Sequence, residues 1–390
     1  MEIRAVVFRM PIVRPAPLVL FLPLVAAPLR GQAATPTIPL IDLDAETDRQ
    51  VIVDREAGQY LGHPTTLLLE DGRTLLVVYP KGHGAGAILL KRSTDGGRTW
   101  SSRLPTPASW ATSRETPTLH RVIDATGRRR IILFSGLHPV RMSVSEDDGR
   151  TWSDLAPVGN WGGIVAMASV LPLRTGAGHY IALFHDDGRF ITGSGVATDT
   201  FTVYASRSTD GGMTWDPPSI VARSNTLHLS EPGAIRSPDG TQIAVLLREN
   251  RRRAPAQVIF SDDEGATWTA PQPLAMTLTG DRHVARYAPD GRLFISFRDL
   301  PPEGTESATR GDWVGWVGQY EDLQGGGAGS YRIRLKDNHH PWDNAYPGVE
   351  VLEDGTFVVT TYGYWTEGEE PYILSVRFTL DELDRRLVER

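Results

Sequence analysis

Short apolar runs recur along this chain in pairs, and each pair is broken by a polar turn. Pro64–Leu69 turns at Asp71-Gly72 into Leu75–Tyr79, and Thr118–Val122 turns near Thr126-Gly127 into Ile131–Phe134. Ala168–Leu171 turns at 176–178 into Tyr180–Phe184, and Gly233–Ile235 turns at Asp239-Gly240 into Ile243–Leu247. His283–Tyr287 turns at Asp290-Gly291 into Leu293–Phe297, and Val349–Leu352 turns at Asp354-Gly355 into Phe357–Tyr362. Apolar runs of strand length joined by Asp-Gly turns predict β-hairpins. Further strands are expected at Trp313–Tyr320 and Tyr372–Phe378, with Val51–Val53 supplying an outer strand that completes the set. Thr379–Arg386 reads as a short helix capped by Thr379 or Asp381.

Four of the six units carry one more pattern, S-x-D-x-G-x-T-W. It spans Ser93–Trp100, Ser145–Trp152, Ser208–Trp215 and Ser261–Trp268, and its tryptophans stand 52, 63 and 53 residues apart. A period near 50 residues marks a repeat architecture in which each repeat is one supersecondary unit. Within the pattern Asp and Gly make the turn, because Asp bonds nearby backbone N–H groups and Gly accepts positive φ. The expected fold is all-β: a six-bladed propeller in one domain over residues 45–380, with a C-terminal tail at 381–390.

These octapeptides are Asp-boxes, and the chain resembles the sialidase-like superfamily of BNR-repeat propellers. The resemblance implies that the boxes are architectural and lie at the blade periphery. Chemistry then has to be sought elsewhere, because one fold hosts many activities.

In a propeller, residues just before the first strand and just after the second strand of every blade meet at one central cleft. Before the first strands stand His63, Glu115, Met167, Glu231, the run Asp281, Arg282 and His283, and Tyr346. After the second strands stand Lys81 and His83, His138, His185 and Asp186, Arg248 with Glu249 and Asn250, Arg298 and Asp299, and Tyr362. Arg248 and Arg298 are candidate anchors for a carboxylate, since guanidinium offers a planar fork. Tyr346 and Glu231 are a candidate nucleophile and base. A phenol is a poor nucleophile at neutral pH until a neighbouring carboxylate accepts its proton. His83 and His63 are candidate proton donors. Lys81, Glu115, His185, Asp186, Arg282 and His283 complete the candidate substrate-binding set.

The resemblance sharpens and limits this picture. Sialidases of the superfamily hold the substrate carboxylate with three arginines and use a Tyr/Glu couple and an Asp acid. Ser230–Gly233 followed by Arg248 is similar to the segment giving the Glu and second arginine. Asn344–Gly348 running into 351–355 is similar to the nucleophile blade. Arg298 is a candidate third arginine, in competition with Arg282, Arg286 and Arg332. Two positions depart. Gly62-His63-Pro64 stands where the first arginine is usual, and 80–84, with Lys81 and His83, stands where the Asp is usual. The resemblance therefore implies an exo-acting glycoside hydrolase for a terminal, acidic sugar other than a well-held sialic acid. A non-catalytic carbohydrate-binding propeller and a uronate-directed lyase are the alternatives.

Composition adds boundaries. The 390 residues are 40% hydrophobic with a net charge of −7, and the basic cluster Arg251-Arg252-Arg253 is too short for a nucleic-acid surface. The expected partner is a glycan. Residues 1–34 read as a signal peptide: Arg4, Arg9 and Arg14 precede an apolar stretch from Pro15 to Leu29 and a small-residue site at 31–34. That stretch is short and interrupted by prolines, so no membrane insertion is expected after cleavage. Export to the bacterial periplasm or medium is expected, as a monomer. The chain has no cysteine and hence no disulfide. His339-His340 lacks ligand spacing, so neither metal nor other cofactor is expected.

Overall fold

The computed structural model describes residues 38–198 and 200–389. The segment read as a signal peptide lies outside them. The described chain forms six β-sheets arranged as the blades of a six-bladed propeller. Blade one comprises Thr65–Leu68, Leu75–Pro80 and Ile88–Ser93. Blade two comprises Thr118–Ile123, Arg129–Ser135, Arg141–Ser145 and Ala156–Pro157, and blade three Ile164–Pro172, Tyr180–Asp186, Thr202–Ser208 and Ser219–Arg223. Blade four comprises Leu229–Arg236, Ile243–Glu249, Gln257–Ser261 and Gln272–Pro273. Blade five comprises Asp281–Tyr287, Leu293–Arg298, Trp313–Gly318 and Tyr331–Lys336, and blade six Gly348–Val351, Phe357–Gly363 and Tyr372–Phe378. Gln50–Asp54 pairs antiparallel with Tyr372–Phe378, so a strand from the start of the described chain completes the last blade.

Two blades depart from four strands. After its box, blade one runs into Pro105 and Pro107, which have no N–H for a ladder, and then into a short 3-10 helix at Ala108–Thr112. Among the described residues the bonds from Ser101 N to Arg92 O and from Leu104 N to Leu90 O are what remains of a fourth strand. Blade five gains a fifth strand, Leu40–Asp42, paired parallel with Tyr331–Lys336 and lying ahead of the expected start at 45. The terminal helix spans Leu380–Val388, with Thr379 as N-cap in a capping box with Glu382. Leu380 and Leu383 are buried against blades five and six, so this segment packs as part of the core where a tail was expected.

The second strands are the core. Leu75–Pro80, Tyr180–Asp186, Leu293–Arg298 and Phe357–Gly363 are buried along their whole lengths. Covered on both faces by neighbouring blades, they read as continuous apolar runs.

The boxes staple blade to blade. In each, the Ser hydroxyl accepts from the box glycine N–H, at 2.7–2.9 Å. The Asp accepts from the Thr N–H and hydroxyl. The box glycines Gly97, Gly149, Gly212 and Gly265 all have φ between 74° and 81°. A Cβ there would also strike Val358, Leu76, Val122 and Ile181 respectively, each on the preceding blade. Glycine is therefore required twice over, by conformation and by approach.

Candidate active site

The rim of the first strands is built on unusual backbone. His63, Met167, Glu231, Arg282 and Ala345 all lie at φ of 52–55°, a region bulky residues rarely enter. In blades three, four and five the pairing of first and second strands slips here, between Ile164 and Ser169, Ser230 and Gly233, and Asp281 and Val284. A bulge re-aims side chains, and such strain concentrates at functional sites. Glu231, Asp281 and Arg282 thus belong to the first strands, at a kink, where sequence places them just ahead.

At the centre, the Tyr346 hydroxyl donates to Glu231 Oε1. Arg248 Nη1 donates to the same oxygen at 2.7 Å. The Arg282 and Arg298 guanidinium carbons lie 5.8 and 6.0 Å from the Tyr346 ring centre. Burial raises the Glu231 carboxyl, but Arg248, Arg298 and the bond from Tyr346 together hold the group below its usual range. Burial, reinforced by the Glu231 charge, pushes the Tyr346 phenol above its usual value. A neutral phenol thus faces an ionised carboxylate, the protonation states that a nucleophile and its base require. Glu231 Oε2 and Arg282 Nη1 are buried without a hydrogen-bond partner among the described residues.

The arginines are not free forks. Asp281, fully buried, accepts from Arg298 Nε and Nη2 at 2.9 and 2.7 Å and from Arg252 at 2.7 and 2.6 Å, and pairs with Arg248 Nε at 3.2 Å. Burial alone would raise its carboxyl; Arg248 and Arg298 hold it well below the carboxylate range. Arg298 Nη1 also donates to Asn344 O. Arg298 is therefore an internal strut that positions the Tyr346 segment. Arg282, with only Ala168 O at 3.3 Å, is the least committed guanidinium, followed by Arg248 through its Nη2.

A second cluster adjoins Tyr346. His63 lies tilted beside its ring, centroids 4.4 Å apart, and meets His83 edge-on at 4.7 Å. His63 Nδ1 accepts from Gly84 N, which leaves the proton on Nε2, 3.2 Å from the Tyr362 hydroxyl. Burial, then the neighbouring His83, push His63 well below the usual histidine value. A ring so placed favours the neutral form. His83 is the more exposed ring, and its Nδ1 lies 2.6 Å from the Tyr60 hydroxyl and 3.5 Å from Asp343 Oδ1. Asp343 also accepts from Tyr60 and Tyr362. Burial raises the Asp343 carboxyl, but its bond with His83 and the tyrosine hydroxyls bring it down to about 2. His83 thus rests on a fixed negative charge.

The other candidates are placed apart from Tyr346 or in support. His185 Nδ1 accepts from Glu231 N at 3.2 Å and fixes its backbone; burial lowers this ring to about 4. Glu115 caps Thr116 N and is raised by burial, with Glu231 near enough to add repulsion. Asp186 is consumed by the backbone N–H groups of Gly188, Phe190 and Ile191. His283 Nε2 faces Leu278 O and its ring stacks on Phe297. Lys81 pairs with Glu56 at 2.9 Å. Tyr60, Arg252 and Asp343 were missed by sequence reasoning. Asp343 had a usable signal, standing three residues before Tyr346 in the same rim loop. Beside it, Trp342 is 51% exposed, edge-on to His340. Among the described residues no group of three or more potential ligands is placed to hold a metal ion, and no helix is long and apolar enough to cross a membrane.

The sequence profile of the BNR repeat-like domain matches residues 44–268 and 135–314. The chain belongs to this family of repeat proteins, and its fold is the sialidase-like propeller. No curated protein matched it. Among solved structures it is similar to the α-L-arabinofuranosidase Arb93A of Fusarium graminearum, bound to an iminosugar inhibitor (14% identity, TM-score 0.63, 86% of this chain and 99% of that one). It is also similar to the intramolecular trans-sialidase of Ruminococcus gnavus (14%, 0.56, 83% and 95%) and to the NanB sialidase of Streptococcus pneumoniae (11%, 0.60, 86% and 71%).

Proposed function

We propose that this protein is an exported, exo-acting glycosidase that removes a terminal acidic sugar. The observation that carries the reading is the neutral Tyr346 hydroxyl bonded to ionised Glu231, beneath an excess of positive charge. Among the described residues Arg248, Arg252 and Arg298 form ion pairs only with Glu231 and Asp281, and Arg282 forms none, so the pocket favours an anion. The inner strands close around an axial cavity of about 100 Å³. That is well short of the ~300–1,000 Å³ of small-molecule sites, so a chain end enters from the rim and does not thread through.

In the proposed reaction the Tyr346 oxygen attacks the anomeric carbon as its proton passes to Glu231. The bond to the leaving oxygen breaks, and that oxygen takes a proton from His83. Water then attacks the anomeric carbon, giving its proton back to His83, and Tyr346 departs with the proton held by Glu231. Two displacements retain configuration; tyrosine nucleophiles are a known exception to the two-carboxylate scheme. Arg282 and the free edge of Arg248 bind the sugar carboxylate. Trp342 offers a flat surface where the leaving group exits.

The test is a panel of 4-nitrophenyl glycosides, comprising sialoside, uronides and neutral sugars, followed by chromatography of natural oligosaccharides. Release from a uronide or other acidic glycoside, weak release from the sialoside and a saturated product support the reading. A product absorbing in the near ultraviolet would make it a lyase, and bound but uncut glycan a binding module.

A further inference from the structure

A cavity of about 550 Å³ lies outside the site described above, against the first Asp-box. Trp100, Leu104 and Pro105 form its apolar surface, and Arg92, Arg150 and Ser101 supply polar groups. Its place in the fold is distinct. In blade one the second strand runs outward to the rim at Pro80, whereas the third returns to Ser93 opposite Leu75, so the box stands at the far end of the strands from Tyr346. The size falls inside the range of saccharide and small-molecule sites.

Two features mark this box. The indole N–H groups of Trp152 and Trp215 donate to their own box glycine carbonyls at 3.2 and 2.9 Å, whereas that of Trp100 has no partner among the described residues. The two guanidinium groups also bond to backbone carbonyls alone among the described residues. Arg92 donates to Asp148 O and Arg150 to Asp147 O, both backbone carbonyls, and neither lies within ion-pair distance of a carboxylate among the described residues. They are close enough that Arg150 adds to the burial that depresses Arg92. Two like charges converging on one cavity beside an aromatic face are complementary to an anionic ring-shaped ligand.

We propose that this cavity is a second saccharide-binding site, where Trp100 stacks on a sugar ring and Arg92 and Arg150 hold its carboxylate or sulfate ester. That the ligand is a saccharide rests on the glycosidase reading; that it is anionic rests on the two arginines. The site would tether an acidic polymer while its terminus is cut at the rim.

Calorimetric titration of the full chain decides the matter, with a galacturonate hexamer, a sulfated hexasaccharide and neutral maltohexaose as probes. One or both anionic probes should bind and maltohexaose should not, and the stronger anionic arm identifies the oxyanion. Arg92→Gln and Arg150→Gln should each weaken that binding about tenfold, the size of one charge-assisted contact, and leave turnover of a small aryl glycoside unchanged. The proposal is overturned if neither anionic probe binds, if maltohexaose binds as tightly, or if both variants bind like the parent. Binding with loss at both arginines in a protein that cleaves nothing would uphold the site while the glycosidase reading falls. Cleavage without such binding would do the reverse.

Discussion

The Asp-boxes and the rim occupy opposite ends of the same strands, yet they are built by opposite rules. The boxes are one solution written four times. The Ser accepts from Gly, the Asp accepts from Thr, and a glycine is pressed against the preceding blade. Their charges are satisfied locally: hydrogen bonds bring the Asp95 and Asp263 carboxyls down to about 2. At the rim the residues vary from blade to blade, left-handed backbone recurs at His63, Met167, Glu231, Arg282 and Ala345, and charges are satisfied across blades through Asp281. Repetition maintains the scaffold, and divergence at an equivalent structural position creates the chemistry.

Breaking that comparison starts with the largest effect. Tyr346→Phe and Glu231→Gln should each lower kcat by at least ~10²–10⁴, the span of general-base and nucleophile losses, with melting temperature nearly unchanged. Asp95→Ala should do the reverse, costing about 1–3 kcal/mol through several lost hydrogen bonds while kcat holds. Denaturant melts and initial rates on the same preparations would show whether the two regions separate; a box variant that loses turnover without losing stability would erase the distinction.

His83→Ala should come next, lowering kcat about a hundredfold on substrates with poor leaving groups and much less on activated aryl glycosides, because only the former need a proton. Equal losses on both would assign His83 a structural role.

Acid stability sharpens the contrast at smaller scale. Burial holds folded His185 and His283 at about 4, below the 6.5 of a free histidine. The unfolded chain therefore binds more protons between those values, so stability is full above pH 6.5 and falls as pH drops toward 4. The box aspartates, depressed from 3.8 to about 2, contribute stability that is lost only below pH 4. Melting temperature should decline in two stages. His283→Gln should flatten the first stage alone, and an unchanged slope between pH 6.5 and 4 would count against the assignment.

The propeller was legible because strand length, turn chemistry and box spacing are local and repeat. Closure by residues 51–53 was legible for the same reason, as an apolar run left without a blade. The short strand Leu40–Asp42 was not, being three residues that pair only because blade five offers an open edge. At the rim, strand ends marked Glu231, Arg248 and Tyr346 as neighbours, but not how charge is shared. Arg252 and Arg298 meet Asp281 from 29 and 17 residues away in sequence, and no local pattern foretells that pairing. His63 reads as a proton donor by residue type; its burial and its bond from Gly84, which favour the neutral ring, are not legible in the sequence. Left-handed backbone at Glu231 and Arg282 is equally silent in sequence, since neither residue favours it.

The central claim is that Tyr346 is the nucleophile, and covalent trapping tests it most directly. The best aryl glycoside from the panel is remade as its fluorinated glycosyl fluoride, which slows breakdown of a covalent intermediate, and the enzyme is digested for mass spectrometry. The account predicts one added sugar on the peptide bearing Tyr346, absent in Tyr346→Phe and formed slowly in Glu231→Gln. A sugar carried on another residue, or steady turnover of the parent glycoside by Tyr346→Phe, would contradict it.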